Sequence, residues 1–526
     1  MRPRDRRIPD GVEPAAAMSG ARGTAAGPGG AVLWTRPLDR RSPLPLSRQL
    51  AAALRAAVAT GDIAAGARLP STRGLAAELG LARSTVVAVF EQLAAEGYIA
   101  ARPGSGYFVA ARSMPARPPE ACPASAAPRL SRQGAAMHGL LPATRQARPF
   151  ETGYAEIDGQ FVTTWKRLAA RTLAGRSAAA WQYGDPRGDL ELRRAIAEYL
   201  AAARGVRCRP EQVVLTSGTQ QGLSHVARIL VDPGDAVWVE DPCYRSAFDI
   251  FRAAEAHVVP VPVDAQGLDV AAAPAEAMPP RLLYTTPSRQ YPLGMAMPLA
   301  RRLALLDWAA ASGAWIVEDD YESEFQRPGG MLPSLQGLDR GGRVIYLGTF
   351  SKLLFPSLRL GYAVLPDSLV EPFATARHLT DRQSSGIMQA MMTEFIRAGH
   401  FARHLKRLRA LYAARQAFLS ELLARRVGGL LDVRPVESGM YLTAWLPAGW
   451  SDRAVAAALG EAGISALPLS ALTLATPRPP GLVLGYTGHA EAAMARAVER
   501  MAMVLGAQTG LIKSIKLELR SDQLAS

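Results

Sequence analysis

The chain has 526 residues, 49% of them hydrophobic and 20% charged, which is the composition of an ordinary globular protein with room for two to four domains. No apolar run approaches the ~20 residues that a bilayer span needs, and the start MRPRDRRIPDG lacks the apolar stretch of a secretory signal. The three cysteines, Cys122, Cys208 and Cys243, are an odd number without metal-type spacing, so the expectation is a reducing cytoplasm, no disulfide framework and no metal. The net charge of +14 is uneven: residues 1–150 hold 20 Lys+Arg against 9 Asp+Glu, and residues 151–526 hold 40 against 37. A basic front on a nearly neutral body points to a polyanion partner at the front, although arginine-rich tails would give part of the same excess.

Residues 1–43 begin as an Ala/Gly/Pro/Arg-rich stretch and are expected to form a disordered leader. Residues 44–112 carry the first periodic pattern. Leu46, Leu50, Leu54 and Val58 recur every four residues and predict a helix with one apolar face, ending at the TGDIAAG turn. In RLPSTRGLAAELGLARSTVVAVFEQLAAEGYI, Ser71 is a fitting N-cap for a short helix that buries Leu75 and Leu79 and stops at Gly80. A tight turn leads to a second helix, expected to be capped near Ser84, that buries Val86, Phe90 and Leu93. Two short helices joined this way form a helix-turn-helix, whose second helix presents its first residues to the major groove. YIAARPGSGYFVA then reads as a two-stranded wing about Pro103-Gly104-Ser105-Gly106.

The string from Gly61 to Val86, followed by LAAEGYI and GSGYFV, resembles the GntR-type winged helix. The resemblance implies a double-stranded DNA operator as partner, contacted by Arg68, Arg73, Arg83, Ser84, Thr85 and Gly104. Arginine suits guanine or phosphate, and the hydroxyls suit phosphate oxygens.

Residues 113–149, rich in Pro, Ala and Arg, read as a linker. From residue 150 to 505, helical and strand-like segments alternate as in a large α/β domain. Residues 506–526 are left as a C-terminal tail with no assigned role. Within the α/β body, VVLTSGTQQGL runs from a strand through a Ser-Gly-Thr turn into a helix, which suits an anion. Tyr244 follows a second strand end. WIVEDDYESEF ends a third with Glu318, Asp319, Asp320 and Tyr321, a pattern that an exposed acidic loop would share. GTFSKLLFPSLRLGY ends a fourth and holds Lys352, one of five lysines in the chain. Together these ends suggest one ligand: a phosphate on Ser217, Gly218, Thr219, Thr349 and Arg359, a ring stacked on Tyr244, a ring nitrogen on Asp319, a phenolic oxygen by Tyr321 and an aldehyde at Lys352. Pyridoxal 5′-phosphate demands this set. Arg359 is also expected to disfavour the Lys352 ammonium.

YGDPRGDLELRRAIAEYL, TPSRQYPLG, EDDYESEF and GTFSKLLFPSLRLGY resemble the fold-type I aminotransferases, and the whole chain resembles the MocR-type regulators, in which a GntR winged helix is fused to that fold. The resemblance implies a mixed, mostly parallel sheet with a smaller C-terminal α+β subdomain. It makes Lys352 the Schiff-base lysine, Asp319 the partner of the pyridine nitrogen, Tyr321 that of the 3′-oxygen and Tyr244 the stacking ring. It also implies a homodimer and an amino-acid or amine effector. Two places depart from catalytic aminotransferases: Tyr291-Pro292-Leu293-Gly294 stands where an Asn-Pro-x-Gly segment is common, and GLVLGYTGHAEAA lacks the arginine that clamps a substrate carboxylate. Arg245 and Arg289 are the candidate substitutes. The reading is therefore a cofactor-sensing transcription regulator. The alternatives are a working aminotransferase with a regulatory front, and a body that only dimerises.

Overall fold

A computed structural model describes residues 38–110, 130–140, 148–175, 181–326, 332–434 and 439–524. The leader up to residue 37 and most of the expected linker lie outside the described residues. The chain divides into two compact units, Met1–Arg129 and Leu130–Ser526.

In the first unit three helices, α1 (Leu46–Thr60), α2 (Thr72–Leu79) and α3 (Arg83–Ala95), precede the hairpin of β1 (Ile99–Arg102) and β2 (Gly106–Val109). α1 buries Leu50, Leu54 and Val58 and ends at Gly61, whose φ of 82° is the left-handed cap that glycine adopts without strain. The Ser71 hydroxyl accepts from the Gly74 N–H at 3.0 Å and caps α2, which buries Leu75 and leaves Leu79 half-buried. α3 begins at Arg83 with Ala82 as its N-cap and no side-chain cap, so the cap lies ahead of the one expected near Ser84. The turn from Gly80 already sets the chain direction there, since the Leu81 N–H bonds the Ala76 carbonyl. Val86, Phe90 and Leu93 face the shared core.

In the second unit, residues 130–140 carry the short helix α4 (Arg132–Ala136), capped by Ser131, and Arg132 pairs with Glu255 at 3.0 Å. This part of the expected linker therefore packs on the α/β unit. The core is an eight-stranded sheet of β3 (Val213–Thr216), β4 (Ala236–Asp241), β5 (His257–Asp264), β6 (Gly267–Leu268), β7 (Leu282–Thr285), β8 (Trp315–Asp320), β9 (Val344–Thr349) and β10 (Gly361–Val364). Their order is β3-β10-β9-β8-β7-β4-β5-β6. β9, β8, β7, β4 and β5 are mutually parallel, while β10 runs antiparallel to both its neighbours. Burial on both faces explains the near-continuous apolar runs of these strands. Three helices, α5 (Gly159–Gly175), α6 (Leu190–Arg204) and α7 (Thr219–Leu230), carry apolar faces that join the buried clusters. A smaller antiparallel sheet, β11 (Asp432–Val433), β12 (Tyr441–Trp445), β13 (Leu467–Pro468) and β14 (Gly481–Gly485), forms the C-terminal subdomain with helices His400–Val427, Asp452–Glu461 and Glu491–Leu524. That last helix continues through residue 506, so the segment read as a separate tail extends it.

The acids of WIVEDDYESEF are buried rather than exposed, and strand alternation gives each a different partner. Glu318 accepts from the N–H groups of Leu335 and Gln336, both at 2.9 Å. Asp320 meets Arg204 at 2.8 Å, with both side chains 1% exposed, and also accepts from the Tyr346 hydroxyl at 2.7 Å. Burial opposes ionisation of Asp320, yet Arg204 and Tyr346 outweigh it and hold its pKa below the ordinary range. Arg204→Ala would leave that carboxylate buried without its cation, and a loss of about 3–5 kcal/mol is expected in urea unfolding of the full chain.

Candidate functional site

The C-terminal ends of four parallel strands, β4, β7, β8 and β9, and of β3, which runs the same way across the intervening β10, converge on one cavity of about 270 Å³. Open α/β sheets bind ligands at this edge. β3 leads through Gly218 into α7, β4 leads to Tyr244, β7 to Thr286 and Tyr291, β8 to Asp319, Tyr321 and Glu322, and β9 to Thr349, Ser351 and Lys352. Arg359 enters just before β10, which starts from the same edge because it runs the other way.

Of the residues expected at a cofactor site, Gly218, Thr219, Tyr244, Asp319, Tyr321, Thr349, Lys352 and Arg359 line this cavity. Ser217 does not: its hydroxyl donates to Asp381 at 3.3 Å and its N–H to Gln221 at 2.7 Å. Gly218 caps α7 with φ 114°, and a Cβ there would lie 3.5 Å from the Arg359 guanidinium. The helix therefore presents open N–H groups toward that cation, a ready anion seat. Arg359 itself holds φ 49°, an uncommon conformation for a non-glycine residue.

Asp319 is 3% exposed. Its Oδ2 accepts from the Tyr284 hydroxyl at 2.8 Å, and its Oδ1 has no hydrogen-bond partner. Burial, opposed by Tyr284 and assisted by Asp320 and Glu240, pushes its pKa up to about 7. Thr219 Oγ1 and Ser351 Oγ are likewise buried without a partner. Native structures seldom leave such atoms unsatisfied.

Lys352 is half-buried, and its Nζ donates to the Gly153 carbonyl at 3.3 Å. Its pKa is lowered, but the cause is burial, while Glu322 and Asp319 pull it upward. This corrects the expectation that Arg359 would disfavour the ammonium: the dense surroundings do so, and the nearby charges that act on it are negative. Gly153 has φ 86°, and a Cβ there would overlap the lysine amine.

Sequence reasoning missed several wall residues. Tyr284, Thr286, Glu322, Ser351, Met440, Tyr441 and Gly153 all line the cavity. Strand alternation through LLYT would have aimed Tyr284 at a neighbour of Asp319, but nothing local links Gly153 to a lysine 199 residues away. Tyr291 meets Tyr244, Tyr321 and Tyr441 edge-on, with centroids 5.9, 6.0 and 5.5 Å away. The Tyr321 and Tyr441 hydroxyls share a hydrogen bond of 2.7 Å. Beneath this layer the buried Glu240 carboxylate accepts from both Thr285 and Thr286 hydroxyls at 2.6 Å and fixes the turn that carries Tyr291. No group of three or more His, Cys, Asp or Glu side chains among the described residues could hold a metal, and no helix there is long and apolar enough to cross a membrane.

On the first unit, Arg68, Arg73, Arg83, Ser84 and Gly104 are exposed and Thr85 is half-buried. Arg83, Ser84 and Thr85 open α3. Gly104 sits at the hairpin tip with φ 74°. Arg68 bridges to Phe108 of β2, and Arg102 stacks on that ring at 4.4 Å. The three arginines at positions 68, 73 and 83 form no ion pair among the described residues, so their charge is open to a polyanion.

Residues 154–501 match the family of aminotransferase class I and II, and residues 46–109 match the bacterial regulatory proteins of the gntR family. The chain is 41% identical over 461 residues to the probable rhizopine catabolism regulatory protein MocR of Rhizobium meliloti, covering 86% of this chain and 92% of that one. It is 30% identical to the pyridoxine biosynthesis transcriptional regulator PdxR of Corynebacterium glutamicum, over 86% of this chain and 94% of that one. Among solved structures, the α-aminoadipate aminotransferase LysN of Thermus thermophilus, complexed with N-(5′-phosphopyridoxyl)-L-leucine, superposes with a TM-score of 0.63 at 29% identity, covering 69% of this chain and 93% of that chain.

The pKa of Asp319 gives a direct test of the cavity. In the cofactor-free protein native Asp319 keeps its proton to about pH 7, whereas in the unfolded chain it loses it near pH 4. The native state then holds the extra proton, so this group makes stability fall as pH rises from about 4 to 7. Asp319→Asn should flatten that part of the melting temperature against pH, as read by calorimetry.

Proposed function

The chain belongs to the MocR-type regulators of the gntR family, whose aminotransferase class I and II portion is of a pyridoxal 5′-phosphate-dependent fold, and on that footing we propose that it is a transcription regulator that binds operator DNA with its first unit and senses pyridoxal 5′-phosphate, or an amine joined to it, with its second. The observation that carries the cofactor reading is the set of unsatisfied polar atoms in one cavity. Thr219 Oγ1, Ser351 Oγ and Asp319 Oδ1 all belong to residues of the wall that also holds Gly218 and Arg359. These needs match the group: phosphate oxygens for the hydroxyls and guanidinium, and a protonated ring nitrogen for the carboxylate.

In this reading Thr219, Ser351, Thr349 and Arg359 hold the phosphate, Tyr244 covers the ring, Tyr321 meets its phenolic oxygen and Asp319 keeps its nitrogen protonated. The cofactor supplies an aldehyde and an electron-withdrawing ring. Lys352 supplies the amine, and burial favours its neutral form, which is the nucleophile. Gly153 leaves room for that amine and orients it through its carbonyl.

Arg83, Ser84 and Thr85 at the start of α3, with Arg68, Arg73 and Gly104 beside them, are proposed as the operator contacts. The domain limits proposed are 44–112 for the winged helix and 150–505 for the cofactor-binding body. A homodimer fits the exposed aromatics Trp181 and Tyr183, at 58% and 76%, and would pair two winged helices on two half-sites. Sensing requires only that the ligand bind one arrangement of the protein better than another. Turnover of amino acids is less well supported, because neither candidate clamp is free: Arg289 pairs with Glu322 and Arg245 with Asp249.

Two measurements test the proposal. Adding pyridoxal 5′-phosphate to the purified chain should raise a visible absorbance band that Lys352→Ala lacks while keeping its circular dichroism. A cofactor-independent body would give no band in either protein. In mobility shifts on the DNA upstream of its own gene, Arg83→Ala should weaken binding by about 1–3 kcal/mol at fixed salt. Unchanged affinity would remove Arg83 from the contacts.

A further inference from the structure

Once Lys352 and Arg359 have their roles, the cavity wall holds no other lysine or arginine among the described residues. What remains around the amine end is Glu322, Tyr291, Tyr321 and Tyr441. Glu322 is 1% exposed, and neither of its oxygens receives an aligned hydrogen bond. Its cation is Arg289, with Nε 2.5 Å away. Arg289 is held away from the cavity wall. Its Nη2 donates to the Tyr441 carbonyl at 3.1 Å, and its guanidinium stacks on the Tyr441 ring at 5.0 Å. It is also wedged between glycines: a Cβ on Gly439 would overlap it, and one on Gly294 would come within 3.2 Å. Arg245 is held outside the wall by Asp249 at 3.1 Å and by the Phe248 ring at 4.8 Å. The segment Gly481–His489, through β14 and beyond, holds no arginine.

A carboxylate on an incoming amine would therefore meet a buried carboxylate and tyrosine hydroxyls, with no bidentate donor among the described residues of the wall to receive it once Arg359 holds the phosphate. Burial raises the Glu322 pKa, and Arg289 beside it opposes that by favouring the charged form. As an anion in a site of low dielectric, Glu322 repels a like charge and is a selective device against one class of ligand. Hydroxyl or ammonium groups would instead find acceptors in Glu322 and the tyrosines. We infer that the amine sensed by this cavity is a primary amine whose skeleton carries no carboxylate, and that Glu322 is the residue that excludes amino acids. The inference rests on the cofactor reading above and names the ligand class for the same site.

The full chain loaded with pyridoxal 5′-phosphate is titrated with ethanolamine, 1,4-diaminobutane, L-alanine and 4-aminobutanoate, and the half-point of the change in visible absorbance is read for each. The two carboxylate-free amines should reach it at concentrations at least about tenfold lower than the two amino acids. In Glu322→Gln, which leaves Arg289 without its partner, that ratio should fall to about threefold or less, chiefly because L-alanine improves. Equal or better response to either amino acid in the unmodified protein overturns the inference without needing the variant. An unchanged ratio in a folded Glu322→Gln protein removes Glu322 as its cause. Absence of any band on adding the cofactor is a different failure, and it would sink the cofactor reading itself.

Discussion

Burying Asp319 beside Lys352 is the constraint on which the rest of the site depends. A carboxylate so far from water is stable as an anion only if something nearby supplies a proton donor or a positive charge. Tyr284 satisfies one oxygen, and the other faces the cavity with nothing. The sheet accepts this cost because Asp319 lies next to the end of the central strand β8, where its neighbours are the parallel β7 and β9. The alternation that turns Asp319 into the cavity turns Glu318 and Asp320 the other way, onto backbone N–H groups and Arg204. Three consecutive acids thus have separate partners, although Asp320 still raises the pKa of Asp319, and a single oxygen is kept for a ligand.

The positive side of the site is arranged by separation. Arg359 lies at the α7 end, where the helix N-terminus adds to its charge. Lys352 lies at the other end between two carboxylates, and burial alone disfavours its ammonium. A dianionic group and an aldehyde on one flat ligand would satisfy both ends at once. A simple anion would satisfy only the first and would leave Asp319 Oδ1 as it is.

Much of this was legible in the chain because it is local. Helix faces in the first unit follow from spacing and caps within ten residues, and the strand-end motifs SGT, EDDY and GTFSK each carry their polar residues with them. The α3 start was misplaced because Ser84 looked like a cap, whereas the turn after α2 had already positioned the chain. Ser217 was grouped with its neighbours on adjacency, but the turn aims its hydroxyl at Asp381, 164 residues away. The Arg289–Glu322 pair was not readable because it joins the turns after two strands whose pairing the sequence does not give, β7 and β8, and the contact of Gly153 with Lys352 because it joins segments 199 residues apart.

That difference in origin also bears on the proposal that the cavity binds a cofactor without turning over amino acids. The groups that would hold a cofactor sit on strand ends, fixed by the sheet, and they persist as long as the sheet does. The C-terminal subdomain, packed across the cavity, contributes Met440 and Tyr441 to its wall among the described residues, and no arginine. Arg289, a candidate for the carboxylate clamp, is held by Glu322 and the Tyr441 carbonyl. Releasing it would leave an uncompensated buried carboxylate, which costs several kcal/mol. The pair is therefore stable against a ligand that offers only another carboxylate in exchange. If the cavity binds the cofactor as proposed, a frame fixed by the sheet beside the buried Arg289–Glu322 pair is better suited to registering a ligand than to converting one.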